Sequence, residues 1–216
     1  MAAPTPTIIY TNGVYTLPPS TTAGIFETFN GAVAGAAFTP NPKVIASPSA
    51  GTVTETASGT VTTQTGTVPG AVNPDNNGDG YLAVQNGTFT VSFGSAGVQF
   101  FSFVFGTLDT YNSLTLNFKD GTSVLYQGQQ IIGLSGLTTG GTQTYTPQQT
   151  GRVSYDTGGG SAIVSAIFGS TQAAFEIDDI AAAAPEPATW ALMILGFGLA
   201  GAQLRYSRRK GQIAFA

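Results

Sequence analysis

No cysteine and no histidine occur among the 216 residues. Their absence excludes disulfides, thiol nucleophiles, serine-histidine-aspartate triads and zinc centres built on those ligands. Charge is also scarce: Asp, Glu, Lys and Arg make up 8% of the chain, against roughly 25% in ordinary soluble domains. Residues 1–184 hold ten acidic side chains and three basic ones, Lys43, Lys119 and Arg152. With no basic patch to displace counterions from phosphates, nucleic acid is excluded as a partner. A single Trp gives little support for an exposed sugar-stacking platform. No window in the first 180 residues keeps apolar positions at helical spacing over three turns. The first ten residues lack the basic start and the 7 to 15-residue apolar run of a secretory signal. Met1-Ala2-Ala3-Pro4 matches the debris of an A-x-A cleavage site, so a trimmed chain is expected.

What is present is β-forming. Short apolar runs at Ile8 to Tyr10, Ile25 to Phe29 and Val44 to Ile45 are broken by Pro, Gly and Asn, which predicts short strands. Residues 51–68 are Thr-rich and partly alternating, an extended chain with one polar face or a mobile ribbon, and residues 51–80 as a whole are rich in Thr, Gly and Asn. From Tyr81 to Phe118 the β signal is strongest. Thr88, Thr90 and Ser92 alternate with Phe89, Val91 and Phe93, while Val98 to Phe105 is almost continuously apolar, as in a strand buried on both faces. Lys119-Asp120-Gly121 marks a hairpin with its return strand at Ser123 to Tyr126. Further strands are expected over 151–155, 162–168 and 173–181. The fold class is therefore all-β, a β-sandwich of jelly-roll type over residues 1–184.

A different segment starts at Pro185-Glu186-Pro187, where successive prolines end any sheet. Trp190 to Ala202 carries no polar side chain. Extended to 188–204, the run makes about 17 residues, or ~25 Å of helix, close to a ~30 Å hydrocarbon layer. Arg205, Arg208, Arg209 and Lys210 follow and should stay cytoplasmic, leaving the acidic body outside.

Pro185-Glu186-Pro187-Ala188-Thr189-Trp190-Ala191, the apolar run and the basic cluster, in that order, resemble the PEPxxWA class of PEP-CTERM sorting domains. The resemblance implies a C-terminal segment 185–216 recognised by an exosortase in the inner membrane of a Gram-negative bacterium and cleaved near Pro185 to Pro187. The body would then pass from the periplasm to the cell surface or the medium. Six residues follow Lys210, more than such signals usually carry.

Within the body, Gly106, Asp109, Tyr111 and Asn112 resemble a turn found in many proteins with this signal. Asp109 and Asn112 can serve as ligands or bond their own backbone at the turn. Asp75-Asn76-Asn77-Gly78-Asp79-Gly80-Tyr81 matches the front half of a calcium loop, with Asp75, Asn77 and Asp79 as side-chain ligands and the Tyr81 carbonyl beside them. Its twelfth position is Asn86 where a bidentate Glu is usual. The stretches around Glu27 and Asp179 resemble the first and last strands of jelly-roll carbohydrate-binding modules, which implies a second calcium site on these two acids; acids discouraging edge pairing are the other reading. No cofactor beyond calcium is indicated.

The expected function is non-enzymatic: a structural or adhesive surface or matrix protein, with exopolysaccharide or matrix glycans as partners. A self-assembling homo-oligomer or filament built by β-strand exchange is the alternative. A polysaccharide-active enzyme ranks below both, because His is missing and no cleft signature stands out.

Overall fold

The computed structural model describes residues 3–19, 21–66, 79–134, 150–184, 194–203 and 205. The chain divides into two units, Met1–Pro185 and Glu186–Ala216.

In the first unit eleven strands are described: β1 Thr7–Asn12, β2 Gly24–Glu27, β3 Lys43–Ser47, β4 Gly51–Thr65, β5 Gly80–Ser92, β6 Phe100–Phe105, β7 Asn112–Phe118, β8 Ser123–Gln127, β9 Gly151–Asp156, β10 Ile163–Ser170 and β11 Phe175–Ala183. The order β1-β9-β6-β11-β5-β10-β7-β8 runs through one sheet, with β2 on β11 and β3 on β4. The long strand β5 folds that sheet in two. Leu82 to Val84 pair with β11, Gly87 to Ser92 pair with β10, and β4 runs beside both halves. At the crease Gly59 stands opposite Gly87, and the register slips at once after it. A Cβ on Gly87 would lie 2.3 Å from the Ser58 carbonyl oxygen, and one on Gly59 2.5 Å from that of Asn86. Only glycine lets the two backbones approach so closely.

The two wings face each other. One has the order β2-β11-β6-β9 and the other β5-β10-β7-β8, and from β5 onward the chain crosses between them at every connection except the β7–β8 hairpin, as in a jelly roll. Phe103 of the first wing meets Phe168 of the second edge-on at 4.8 Å, and Tyr155 meets Tyr126 at 5.5 Å. Each fully buried Phe contributes roughly 1.5 to 3 kcal/mol by leaving water. Phe89, Val91 and Phe93 point inward while Thr88, Thr90 and Ser92 do not, and every residue of β6 is buried.

The Thr-rich stretch is not a loose ribbon through Thr65. It forms β4, the longest strand, because β5 supplies a partner at nearly every position from Thr54 to Thr65. Residues 67–78 lie outside the described residues.

In the second unit residues 194–203 are helical, and their side chains are exposed. That is ten residues of the helix expected over 188–204, or ~15 Å of rise. Among the described residues no helix is long and apolar enough to cross a membrane.

Candidate functional site

The end of β2 and the β3–β4 hairpin bring two acids and a lysine together. Lys43 at the start of β3 stands directly opposite Glu55 of β4, and Glu55 in turn opposite Val91 of β5. This row points toward the core, so Glu55 is fully buried. Glu27, also buried, reaches in from β2, and its Oε2 is in direct contact with Lys43 Nζ. Its Oε1 accepts the backbone N–H groups of Thr28 at 3.1 Å and Phe29 at 3.0 Å. The Lys43 ammonium also lies 5.9 Å from the centre of the Phe29 ring. Beside the cluster opens a cavity of about 270 Å³ lined by Glu27, Lys43, Phe29, Val33 and Phe38 among others.

Neither oxygen of Glu55 has a hydrogen-bond donor. Burial first, then the Glu27 carboxylate, push its carboxyl up to about 9, with Lys43 pulling the other way. Two ionised carboxylates offer each other only acceptors, whereas a protonated Glu55 can donate to Glu27. The neutral acid is the form this environment favours.

A second group of ionisable side chains occupies the opposite face of the first wing. Arg152 of β9 donates from Nε to the Tyr15 carbonyl at 2.5 Å and from Nη1 to the Asp179 carbonyl at 2.9 Å and Ser102 Oγ at 3.2 Å. Its Nη2 lies 3.5 Å from Asp179 Oδ2. Burial lowers the guanidinium to about 10, with Asp179 and Asp178 opposing. Nearby Glu176 is buried with one orphan oxygen, and burial lifts its carboxyl to about 7 despite backbone hydrogen bonds. Tyr81 has no partner for its hydroxyl and is pushed up to about 12 by burial and by Glu176.

The structure distributes the sequence-derived candidates unevenly. Glu27 is engaged by Lys43, and Asp179 by Arg152. Of the calcium loop, Asp75 and Asn77 lie outside the described residues, whereas Asp79 and Tyr81 stand at the start of β5. Among the described residues no group of three or more acids could hold a metal ion. The turn over Gly106 to Asn112 is bound into the fold. Gly106 donates to the Glu176 carbonyl at 3.1 Å, and Tyr111 Oη donates to the Ala173 carbonyl at 3.1 Å. Asn112 closes the turn onto Asp109 and reaches the β10–β11 connection. Pro185, Glu186, Pro187, Trp190, Arg208, Arg209 and Lys210 lie outside the described residues, and Arg205 is helical.

Glu55, Lys43, Arg152 and Glu176 were not singled out from sequence. Phase was the available signal for Glu55, since it alternates in step with Val53 and both point inward.

Residues 183–210 match the family model described as the PEP-CTERM protein-sorting motif. No curated protein matches the chain, and no solved structure matches it. The chain thus carries an exosortase-type sorting signal placed immediately after an all-β body, the mark of an exported protein.

Proposed function

We propose that this protein is a non-catalytic structural or adhesive component of the cell surface or extracellular matrix, delivered there by an exosortase that acts on its C-terminal segment. The sorting motif at residues 183–210 carries the reading. Two features of the body support it. Last strand β11 ends at Ala183, so cleavage near Pro185 to Pro187 removes no strand. Thr52, Thr56, Ser58 and Thr60 of β4 are exposed, a row of hydroxyls suited to sugars or matrix polymers. Co-sedimentation of the processed body with exopolysaccharide from the producing cells tests adhesion. Retention with the polymer is expected, and free protein in the supernatant contradicts it.

The edges favour filament assembly as the second reading. β1 and β8 end the strand path, and Leu125 on β8 and Val44 on β3 are exposed, an arrangement open to strand addition by another copy. Electron microscopy separates the two readings: fibres support assembly, and monodisperse particles oppose it. Calcium is proposed for the loop of Asp75, Asn77, Asp79 and Tyr81, where it would raise the melting temperature by mass action. An unchanged melting temperature at millimolar calcium, or the same rise in Asp75→Ala, removes this loop as the site.

A further inference from the structure

We propose that Lys43 and Glu27 join in an intramolecular isopeptide bond, with Glu55 as the acid-base group that forms it. The chain has no cysteine, so no disulfide can fasten this body outside the cell. What stands at the rim of the core instead is a partly exposed amine touching a buried carboxyl, with a second, fully buried carboxyl next to them.

The atoms are in the places that amide formation requires. Lys43 Nζ contacts Oε2 of Glu27, while Oε1 already receives two backbone N–H groups from Thr28 and Phe29. When the nitrogen attacks Cδ, negative charge develops on an oxygen, and those two donors are positioned to stabilise it on Oε1 as an oxyanion hole. Oε2 is then the leaving oxygen. Glu55 lies across the ladder from Lys43 and beside Glu27. Its orphan oxygens and its preference for the protonated state give a proton donor with no other task.

The step balances without any oxidant or cofactor. The Lys43 ammonium first passes a proton to the Glu27 carboxylate it touches, giving a neutral amine beside a neutral acid. The Nζ lone pair then forms the C–N bond to Cδ of Glu27. Glu55 gives its proton to the departing hydroxyl, the C–Oε2 bond breaks and one water leaves. Glu55 recovers a proton from the nitrogen and ends as the acid it was. The product ties β2 to β3 through a neutral amide.

Intact mass and tryptic mapping of the full chain decide the matter. Lys43 is the first site for trypsin and Lys119 the next. With the bond formed, the mass is lower than the sequence mass by one water, and a single peptide runs uncut through Lys43 to Lys119, with its branch at Glu27. A mass equal to the sequence mass, with separate peptides ending at Lys43 and at Lys119, overturns the proposal. Lys43→Arg, checked for folding by circular dichroism, should show the unreduced mass; a loss of water there overturns the assignment to Lys43. In Glu55→Gln the bond should form roughly a hundredfold more slowly or not at all, and formation at the parent rate would remove Glu55 from the step.

Discussion

Asn112 accepts the backbone N–H of Asp109 on its Oδ1 at 2.6 Å, while its own N–H donates to the Asp109 carbonyl at 3.0 Å. The same side chain spends its amide nitrogen on Ser170 Oγ at 3.3 Å and the Ala174 carbonyl at 3.4 Å. One buried amide therefore closes the β6–β7 turn and fastens it to the β10–β11 connection.

Asn112→Ala removes both ties and leaves the Asp109 N–H without its side-chain acceptor. A loss of about 1 to 3 kcal/mol is expected in denaturant unfolding. Asp109→Asn keeps the backbone donor and acceptor and should cost less than half as much.

The crease gives a second expectation. Gly87→Ala sets a methyl group 2.3 Å from the Ser58 carbonyl oxygen, so β4 and β5 must separate where the sheet folds. A loss of about 1 to 3 kcal/mol is expected, measured by thermal or denaturant unfolding. Gly94→Ala, where nothing lies within 4 Å of the new atom but φ is +68°, shows the cost of backbone strain alone, against which the pure clash at Gly87 is compared.

Stability should also run against the usual acid lability. Burial raises Glu176 from 4.5 to about 7, so the folded state holds a proton that the unfolded chain has released across that interval. Native protein binds more protons there, and stability falls as pH rises from about 4.5 to 7 and stays lower above it. The shift corresponds to at most ~3 kcal/mol. Glu55, raised to about 9, acts in the same direction over a wider range. Denaturant midpoints at pH 5 and pH 8 test this: the midpoint should be higher at pH 5, and Glu176→Gln should shrink the difference. A difference unaffected by that substitution would show that Glu176 is not its source.

Strands were legible wherever one physical rule dominated. Phe89, Val91 and Phe93 alternate with polar neighbours, so one face of β5 could be assigned from periodicity. Val98 to Phe105 is almost continuously apolar, and β6 is buried throughout. The Lys119-Asp120-Gly121 turn required a positive φ, and Gly121 adopts 84°. Partner choice was not legible. Nothing in the Thr pattern of β4 says that β5 will pair along nearly its whole length, because that register is settled by the Gly59 and Gly87 crease and by long-range closure.

The candidate site was half visible. Glu27 and Asp179 were noticed as acids, but their roles depend on which cations the fold delivers. Lys43 arrives from the hairpin beside Glu27, and Arg152 arrives from a strand 27 residues from Asp179 in sequence. Glu176 and Tyr81 come together only because β11 pairs with the first half of β5.

The central claim is that the chain is sorted and cut through its last segment. Intact mass of the protein recovered from the cell envelope and from the medium, with the exosortase present and deleted, tests it most directly. The account expects a product in the medium ending between Ala184 and Pro187 when the enzyme is present, and full-length chain held in the envelope when it is absent. Full-length protein in the cytosol of both strains, with no processed form, would contradict it.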